Sequence, residues 1–225
     1  FPYTTLFLSD SLIIIKVAIN FLIVIRICQM AEWRICMITI QNLKEQMKGY
    51  TLEITDLNIL TGDIFGIYID DLECKERLIN LISLLEIPSK GNIKIGGIDT
   101  NDKRYQTYLR RKIGVITKNL LLIDNYNVEL NIVLPIDLSA QTKNNERLIA
   151  IAKDFNLENS LKAYPKELDW VKQVSVLFAR CIYNMYELII ADIDMLNEEQ
   201  LLTLLNLCKT HKYTLIFFTM HVEFL

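Results

Sequence analysis

From residue 37 onward the chain alternates between two hydrophobic rhythms. Short apolar or alternating runs read as strands, and longer stretches with apolar residues three and four apart read as helices. MITIQNL (37–43) reads as an edge strand, and YTLEITDLNIL (50–60) alternates well enough to be its hairpin partner. Residues 64–69 form a continuous run rich in β-branched and aromatic side chains, and from Leu78 the apolar positions Leu78, Leu81, Ile82 and Leu85 recur at helical spacing. Pro88 stops that helix, and GNIKIGGID (91–99) is a glycine-punctuated hairpin. Residues 105–112 follow as a short basic helix, 113–117 as a strand, and 119–131 as a loop leading into a polar helical region. Helices are expected at 145–155, continuing at 157–163, and at 169–185; an apolar strand at 188–191 ends on Asp192. A helix at 197–209 and a strand at 213–219 complete the pattern. Continuous apolar strands alternating with helices predict an α/β fold with a mostly parallel sheet covered on both faces.

Ahead of residue 37 the pattern changes. Residues 12–30 are apolar enough to suggest a membrane or interfacial helix, although Lys16, Asn20 and Arg26 are each expensive near a bilayer centre. The chain opens on Phe1, and FPYTTLFLSD resembles a peptide that arises when sequencing-adapter DNA is translated. Residues 1–36 are therefore expected to be a non-native or membrane-associated segment, with Met37 as the natural start.

Composition narrows the field further. With 225 residues, 52% of them hydrophobic, the chain can bury the core of a full domain. A net charge of −3 gives no global attraction to nucleic acid, and no lysine or arginine cluster interleaved with aromatics stands out, so no nucleic-acid partner is expected. Cys28, Cys36, Cys74, Cys181 and Cys208 form no CxxC pair, and only His211 and His221 could join them as ligands. A reduced chain without structural zinc is the expectation.

The strongest candidate chemistry lies in GDIFGIYIDDLECKERLINLISLL (62–85), a strand, a tight loop and a helix with Lys75 at the junction. A lysine there is where loop amides and a helix N-terminus grip a phosphate. The loop glycines are missing, and the whole chain has only seven. Phosphate cradles need backbone that tolerates unusual angles, which β-branched Ile69 resists. Asp70, Asp71, Glu73 and Glu76 outnumber Lys75 and Arg77 by two charges. A carboxylate about 5 Å from a phosphate costs roughly 3 kcal/mol at an effective dielectric of about 20. These acids also have a structural use: Asp71 or Glu73 is expected to cap the helix from Lys75 where a phosphate would sit, and Asp169 to cap a later one. Lys75 is then either a nucleotide contact or a solvated first-turn lysine, and Cys74 either a reactive thiol or a small packing residue.

In their order, the segments from Met37 to the end resemble the nucleotide-binding domain of ATP-binding cassette (ABC) transporters. Residues 62–99 look like that family's first strand, phosphate loop, helix and hairpin, and IGVITKNLLLIDNYNVELNI (113–132) like its glutamine loop. YPKELDWVKQVSVLFARCIYNMYELIIADID (164–194) looks like the signature helix and Walker B strand, and YTLIFFTMHVEF (213–224) like the switch-histidine strand. Framework residues such as Gly62, Gly91, Gly114, Pro165 and Arg180 match the pattern. The resemblance implies a P-loop NTPase-like α/β fold: a mostly parallel sheet with flanking helices, an N-terminal antiparallel β portion, and a helical subdomain at about 119–180 within a C-terminally truncated domain at 37–225. It implies ATP and magnesium as cofactors and a position on the cytoplasmic face of a membrane. The implied partners are a membrane permease subunit and a second cassette in a homo- or heterodimer. It also makes Lys75 and Gly66 nucleotide-binding residues, places the adenine-stacking aromatic near Met47 or Tyr50, and offers Asp192 to magnesium or to a structural hydrogen bond.

The family's catalytic positions carry other residues here. Ile69, Leu72 and Cys74 stand at the loop glycines, Glu76 and Arg77 at the Ser/Thr and Thr that follow the lysine, and Lys118 at the glutamine. Asp169, Trp170 and Val171 stand at the signature Ser-Gly-Gly, Ile193 at the general-base glutamate, and Met220 at the switch histidine, with His221 one position late. His221 is a switch residue only if the register slips by one; otherwise it is a surface residue, and Trp170 is expected at an interface. The expectation is a degenerate ABC ATP-binding subunit with weak or no hydrolysis, acting as structural or regulatory partner of a permease or another cassette. The alternatives are a diverged but active ATPase and a protein-interaction module on the same scaffold.

Overall fold

A computed structural model gives the fold and describes residues 12–16, 21–27, 35–49, 51–117, 122–138 and 143–221. The described residues begin with β1 (Leu12–Lys16) and β2 (Phe21–Ile27), an antiparallel pair, and then β3 (Cys36–Gln46) and β4 (Thr51–Leu60), a second one. Next come β5 (Ile64–Tyr68), α1 (Leu72–Ile82), β6 (Lys90–Ile95), β7 (Ile98–Asp99), α2 (Gln106–Arg110) and β8 (Ile113–Ile116). The second half holds α3 (Val128–Leu138), α4 (Asn145–Asp154), α5 (Trp170–Tyr183), β9 (Leu188–Asp192), α6 (Glu198–His211) and β10 (Thr214–Thr219).

These strands make two sheets. The six-stranded sheet has order β1-β2-β5-β10-β9-β8, parallel from β5 to β8 and antiparallel at the β1-β2 edge; the four-stranded sheet has order β4-β3-β6-β7 and is antiparallel. The predicted α/β class, parallel sheet and N-terminal antiparallel portion are all present. Alternation along the parallel strands sorts their side chains between two layers. Phe65, Ile67, Leu188, Ile190, Ile216 and Phe218 pack with Leu78 and Ile82 of α1 and with the antiparallel sheet. Ile64, Ile189, Ala191, Leu215 and Phe217 pack instead with residues of α3, α4, α5 and α6.

Several local expectations are corrected. β3 is not an edge strand, because β6 pairs along its other side, Ile38 opposite Ile95 and Ile40 opposite Ile93. The described part of 12–30 is strand rather than helix, with Ile23 to Ile27 registered against Tyr68 to Ile64 of β5. LIIIK and FLIVIRI are dense in β-branched residues, which favour strands. Residues 157–163 do not continue the helix: Asn156 turns left-handed at φ 55°, the Leu157 amide donates back to the Ala152 carbonyl at 2.7 Å, and only a 3-10 turn at Glu158–Ser160 follows. The helical region after the loop is apolar, with Val128, Ile132 and Val133 buried, rather than polar.

Two framework glycines have steric causes. Gly91 sits at φ +90°, where a Cβ would lie 2.4 Å from the Asn42 carbonyl oxygen. At Gly114 a Cβ would meet the Tyr186 ring at 2.6 Å and Cys181 Sγ at 2.8 Å, so glycine is what lets β8 approach α5. The carboxyl ends of β5, β10 and β9 lie side by side, the edge at which open α/β sheets place their sites. Among the described residues no helix is long and apolar enough to cross a membrane.

Candidate functional site

At that edge α1 starts one turn earlier than the lysine. Only residues 69–71 separate β5 from the helix. Asp71 is the N-cap, its carboxylate accepting from the Cys74 amide at 2.7 Å and its carbonyl from the Lys75 amide at 3.0 Å. The Ile69 amide donates to the Thr219 carbonyl at 3.0 Å, extending the β5–β10 ladder into the loop. The amides of Ile69, Cys74 and Lys75 are thus taken by the chain itself. Left-handed backbone, which turns successive amides toward one anion, is absent: no described residue from Asp63 to Ser83 has positive φ. Asp169 caps α5 in the same way, accepting from the Lys172 amide at 2.8 Å.

Lys75 is not the solvated first-turn lysine that was one of its two readings in the sequence. It is 1% exposed, and its Nζ donates to Asp192 Oδ1 at 2.9 Å and to Asp194 Oδ2 at 2.6 Å. Asp192 ends β9, and the 3-10 turn Ile193–Met195 swings Asp194 back toward it, so that the Asp194 amide donates to Asp192 Oδ1 at 3.2 Å. The Asp194 carboxylate also accepts from the Thr219 hydroxyl at 2.6 Å and from the Met220 amide at 3.0 Å. One ammonium and two carboxylates thereby tie α1, β9 and the end of β10 together. Burial alone would lower the Lys75 pKa, but the hydrogen bonds and charges of Asp194 and Asp192 prevail and raise it. Burial likewise pushes Asp194 up, yet Lys75, Thr219 and the Met220 amide hold it below its ordinary value.

The other expected site residues do not join this cluster. Gly66 lies buried in the middle of β5, paired with Phe217 of β10 and Ile25 of β2, and not in the loop. Tyr50 and Lys118 lie outside the described residues; Met47 is buried in the core. Ile193 is 1% exposed and carries no proton acceptor on its side chain. His221 is exposed, one residue past the Met220 that contacts Asp194, and its amide donates to the Thr219 hydroxyl at 3.0 Å. Cys74 is 4% exposed, and burial pushes its thiol up to about 12, with Asp71, Asp70 and Glu73 adding to the effect, which favours the packing reading. Arg77 points elsewhere, donating to buried Glu45 of β3 at 2.7 Å and pairing with Glu86. Trp170 is half exposed, its ring nitrogen 3.4 Å from the Met195 carbonyl.

Asp194 is the residue that the sequence reading missed. Its signal was the second carboxylate of Asp192-Ile193-Asp194, two positions on, which reaches the lysine only because a tight turn follows the strand. Among the described residues no group of three or more His, Cys, Asp or Glu side chains could hold a metal ion.

Comparison with known proteins agrees with this architecture. The family model described as ABC transporter matches residues 75–193, more than half of the chain; the match starts at Lys75 and includes Asp192 but not Asp194. The methionine import ATP-binding protein MetN 2 of Enterococcus faecalis is 29% identical over 166 residues, covering 69% of this chain and 48% of that protein. MetN 1 of Oenococcus oeni is 28% identical over 196 residues, covering 83% and 56%. The chain thus spans about half the length of the curated relatives it matches. A bacterial ABC transporter cassette solved as a dimer superposes with a TM-score of 0.69 at 24% identity, over 83% of this chain and 89% of that one.

Proposed function

Because this chain belongs to the ABC transporter family, we propose that it is a transporter's ATP-binding-cassette subunit whose nucleotide site is degenerate. In this reading it has weak or no hydrolysis and serves as a structural or regulatory partner of a membrane permease or of a second cassette, at the cytoplasmic face of the membrane. Residues 37–225 are, in this reading, the cassette domain, with β1 and β2 added at the β5 edge of its sheet, and about 119–180 are its helical subdomain. The observation that carries the reading is Lys75, buried between Asp192 and Asp194. A lysine bound to two carboxylates has most of its ammonium engaged, and turning it away toward a phosphate would leave two buried anions without their counter-charge.

The residues present do not fit a magnesium-bound triphosphate. The β5–α1 connection has no left-handed residue to form an amide cradle, and Asp71 already occupies the helix N-terminus. Asp192 is engaged with Lys75, and exposed Glu76 stands at the position of the magnesium-binding hydroxyl. Neither Ile193 nor Met220 offers a group that could take a proton from water. The relatives named above serve methionine import, so a permease of that kind is the first partner to test.

The test is calorimetric titration of Mg-ATP into the chain and into Lys75→Ala, with phosphate release followed in parallel. The expected result is no binding tighter than about 1 mM and no dependence on Lys75. Micromolar binding that Lys75→Ala abolishes would overturn the reading in favour of a diverged, working ATPase.

A further inference from the structure

At the carboxyl ends of β9 and β10 one carboxylate collects donors from separate parts of the chain. Asp194 Oδ2 accepts from the Lys75 ammonium at 2.6 Å and from the Met220 amide at 3.0 Å, and its Oδ1 accepts from the Thr219 hydroxyl at 2.6 Å. That hydroxyl has a second acceptor, the His221 carbonyl, only at 3.4 Å, so its proton goes to the carboxylate. The Asp194 and Lys75 side chains are 8% and 2% exposed, and water contributes little to solvating either. Lys75 does not need Asp194 for neutrality, because Asp192 already supplies a counter-ion at 2.9 Å. With Asp194 the cluster holds two anions to one cation. An ammonium, a hydroxyl and a backbone N–H aimed at one point make a place for an oxyanion, and here the oxyanion belongs to the chain.

We propose that Lys75 Nζ, the Thr219 hydroxyl and the Met220 amide form a small-oxyanion site that Asp194 fills as a tethered plug. This rests on the reading of Lys75 given above and adds the residue that keeps the site shut. The plug is held from behind: within the 3-10 turn Ile193–Met195 the Asp194 amide donates to Asp192 Oδ1 at 3.2 Å. The carboxylate therefore returns to the same three donors whenever it leaves them. A tethered group competes at an effective concentration on the order of millimolar even on a flexible linker, and a tight turn raises that figure. A free carboxylate or phosphate at lower concentration is excluded while Asp194 is present, although every donor it needs is in place.

The test is chemical rescue. Asp194→Ala deletes the carboxylate and leaves a gap of formate's size beside the three donors, whereas Asp194→Asn keeps the gap filled without the charge. Urea denaturation of the full chain and of both variants is compared in sodium chloride, sodium formate and sodium phosphate, each at about 0.5 M. Formate or phosphate is expected to raise the folding constant of Asp194→Ala about tenfold over chloride, with the native chain and Asp194→Asn changing less than about twofold. A larger gain in formate assigns the site to carboxylates, and a larger gain in phosphate assigns it to phosphoryl groups. Should Asp194→Ala not fold in chloride, its recovery on refolding in each salt reads the same comparison. A gain shared by all three chains, or no gain in Asp194→Ala, would overturn the proposal. The functional reading fails separately, on Mg-ATP binding by the native chain.

Discussion

Lys75 and Arg77 stand two residues apart on α1, about 200° around the helix from each other, and each faces two carboxylates. Their settings differ. Lys75 is 1% exposed and joins α1 to the carboxyl ends of β9 and β10, whereas the Arg77 side chain is 24% exposed and joins α1 to β3 of the antiparallel sheet through Glu45. Arg77 keeps contact with water, so screening limits what its loss costs; Lys75 has none to fall back on. The lesson is that a lysine in a phosphate-loop position is defined by what else its ammonium can reach. Here two aspartates reach it first, and the residue with the most functional look performs the same kind of work as its unremarked neighbour, in a drier place.

This comparison can be broken by substitution. The largest effect is expected from Lys75→Met, which leaves Asp192 and Asp194 buried without a cation. Urea denaturation should show a loss of about 3–5 kcal/mol, and a loss under about 1 kcal/mol would mean that the pair is not structural. Arg77→Ala leaves buried Glu45 with the Ser89 amide and hydroxyl as its remaining donors, and should cost about 1–3 kcal/mol. A cost equal to that of Lys75→Met would erase the distinction between the two sites. Asp71→Ala removes the α1 cap and should cost about 1 kcal/mol, and Asp71→Gly a few tenths; a stabilising result would show that the carboxylate is held there for another reason.

The smallest effect in neutral buffer comes from pH. Asp194 has its folded pKa depressed, so its stabilisation is present above the unfolded carboxylate value and is lost as pH falls through the lower folded value. Lys75 is raised, so its stabilisation is complete below the ordinary lysine value and is lost only as pH rises through the raised one. Between about pH 5 and 9 Asp194 and Lys75 should contribute no slope. Asp194→Asn should make the acid limb of the stability curve shallower, and an unchanged limb would show that Asp194 does not titrate against Lys75.

Much of this fold was legible because its strands are rich in β-branched residues and its helices in three- and four-residue apolar spacing. Long-range pairing was not. β3 reads as an edge strand until β6, some fifty residues away, is found along its other side. Residues 12–30 read as a helix because a long apolar run carries little period of its own; the β-branched content of the described part, 12–16 and 21–27, and the pairing of β2 with β5 favour strand. At the site, Lys75, Asp192 and the caps Asp71 and Asp169 were visible as candidates from residue type and position. The closure was hidden for two reasons. Lysine is rarely buried, so solvent is the default for it, and Asp194 turns inward only through a 3-10 turn that its sequence does not announce.

In the proposed reading Lys75 holds the fold rather than a nucleotide. Urea denaturation of the native chain and of Lys75→Met, each with and without Mg-ATP, tests it most directly. ATP should leave the native midpoint unmoved, and Lys75→Met should lower the nucleotide-free midpoint sharply. Equal nucleotide-free midpoints, with ATP stabilising the native chain alone, would contradict it.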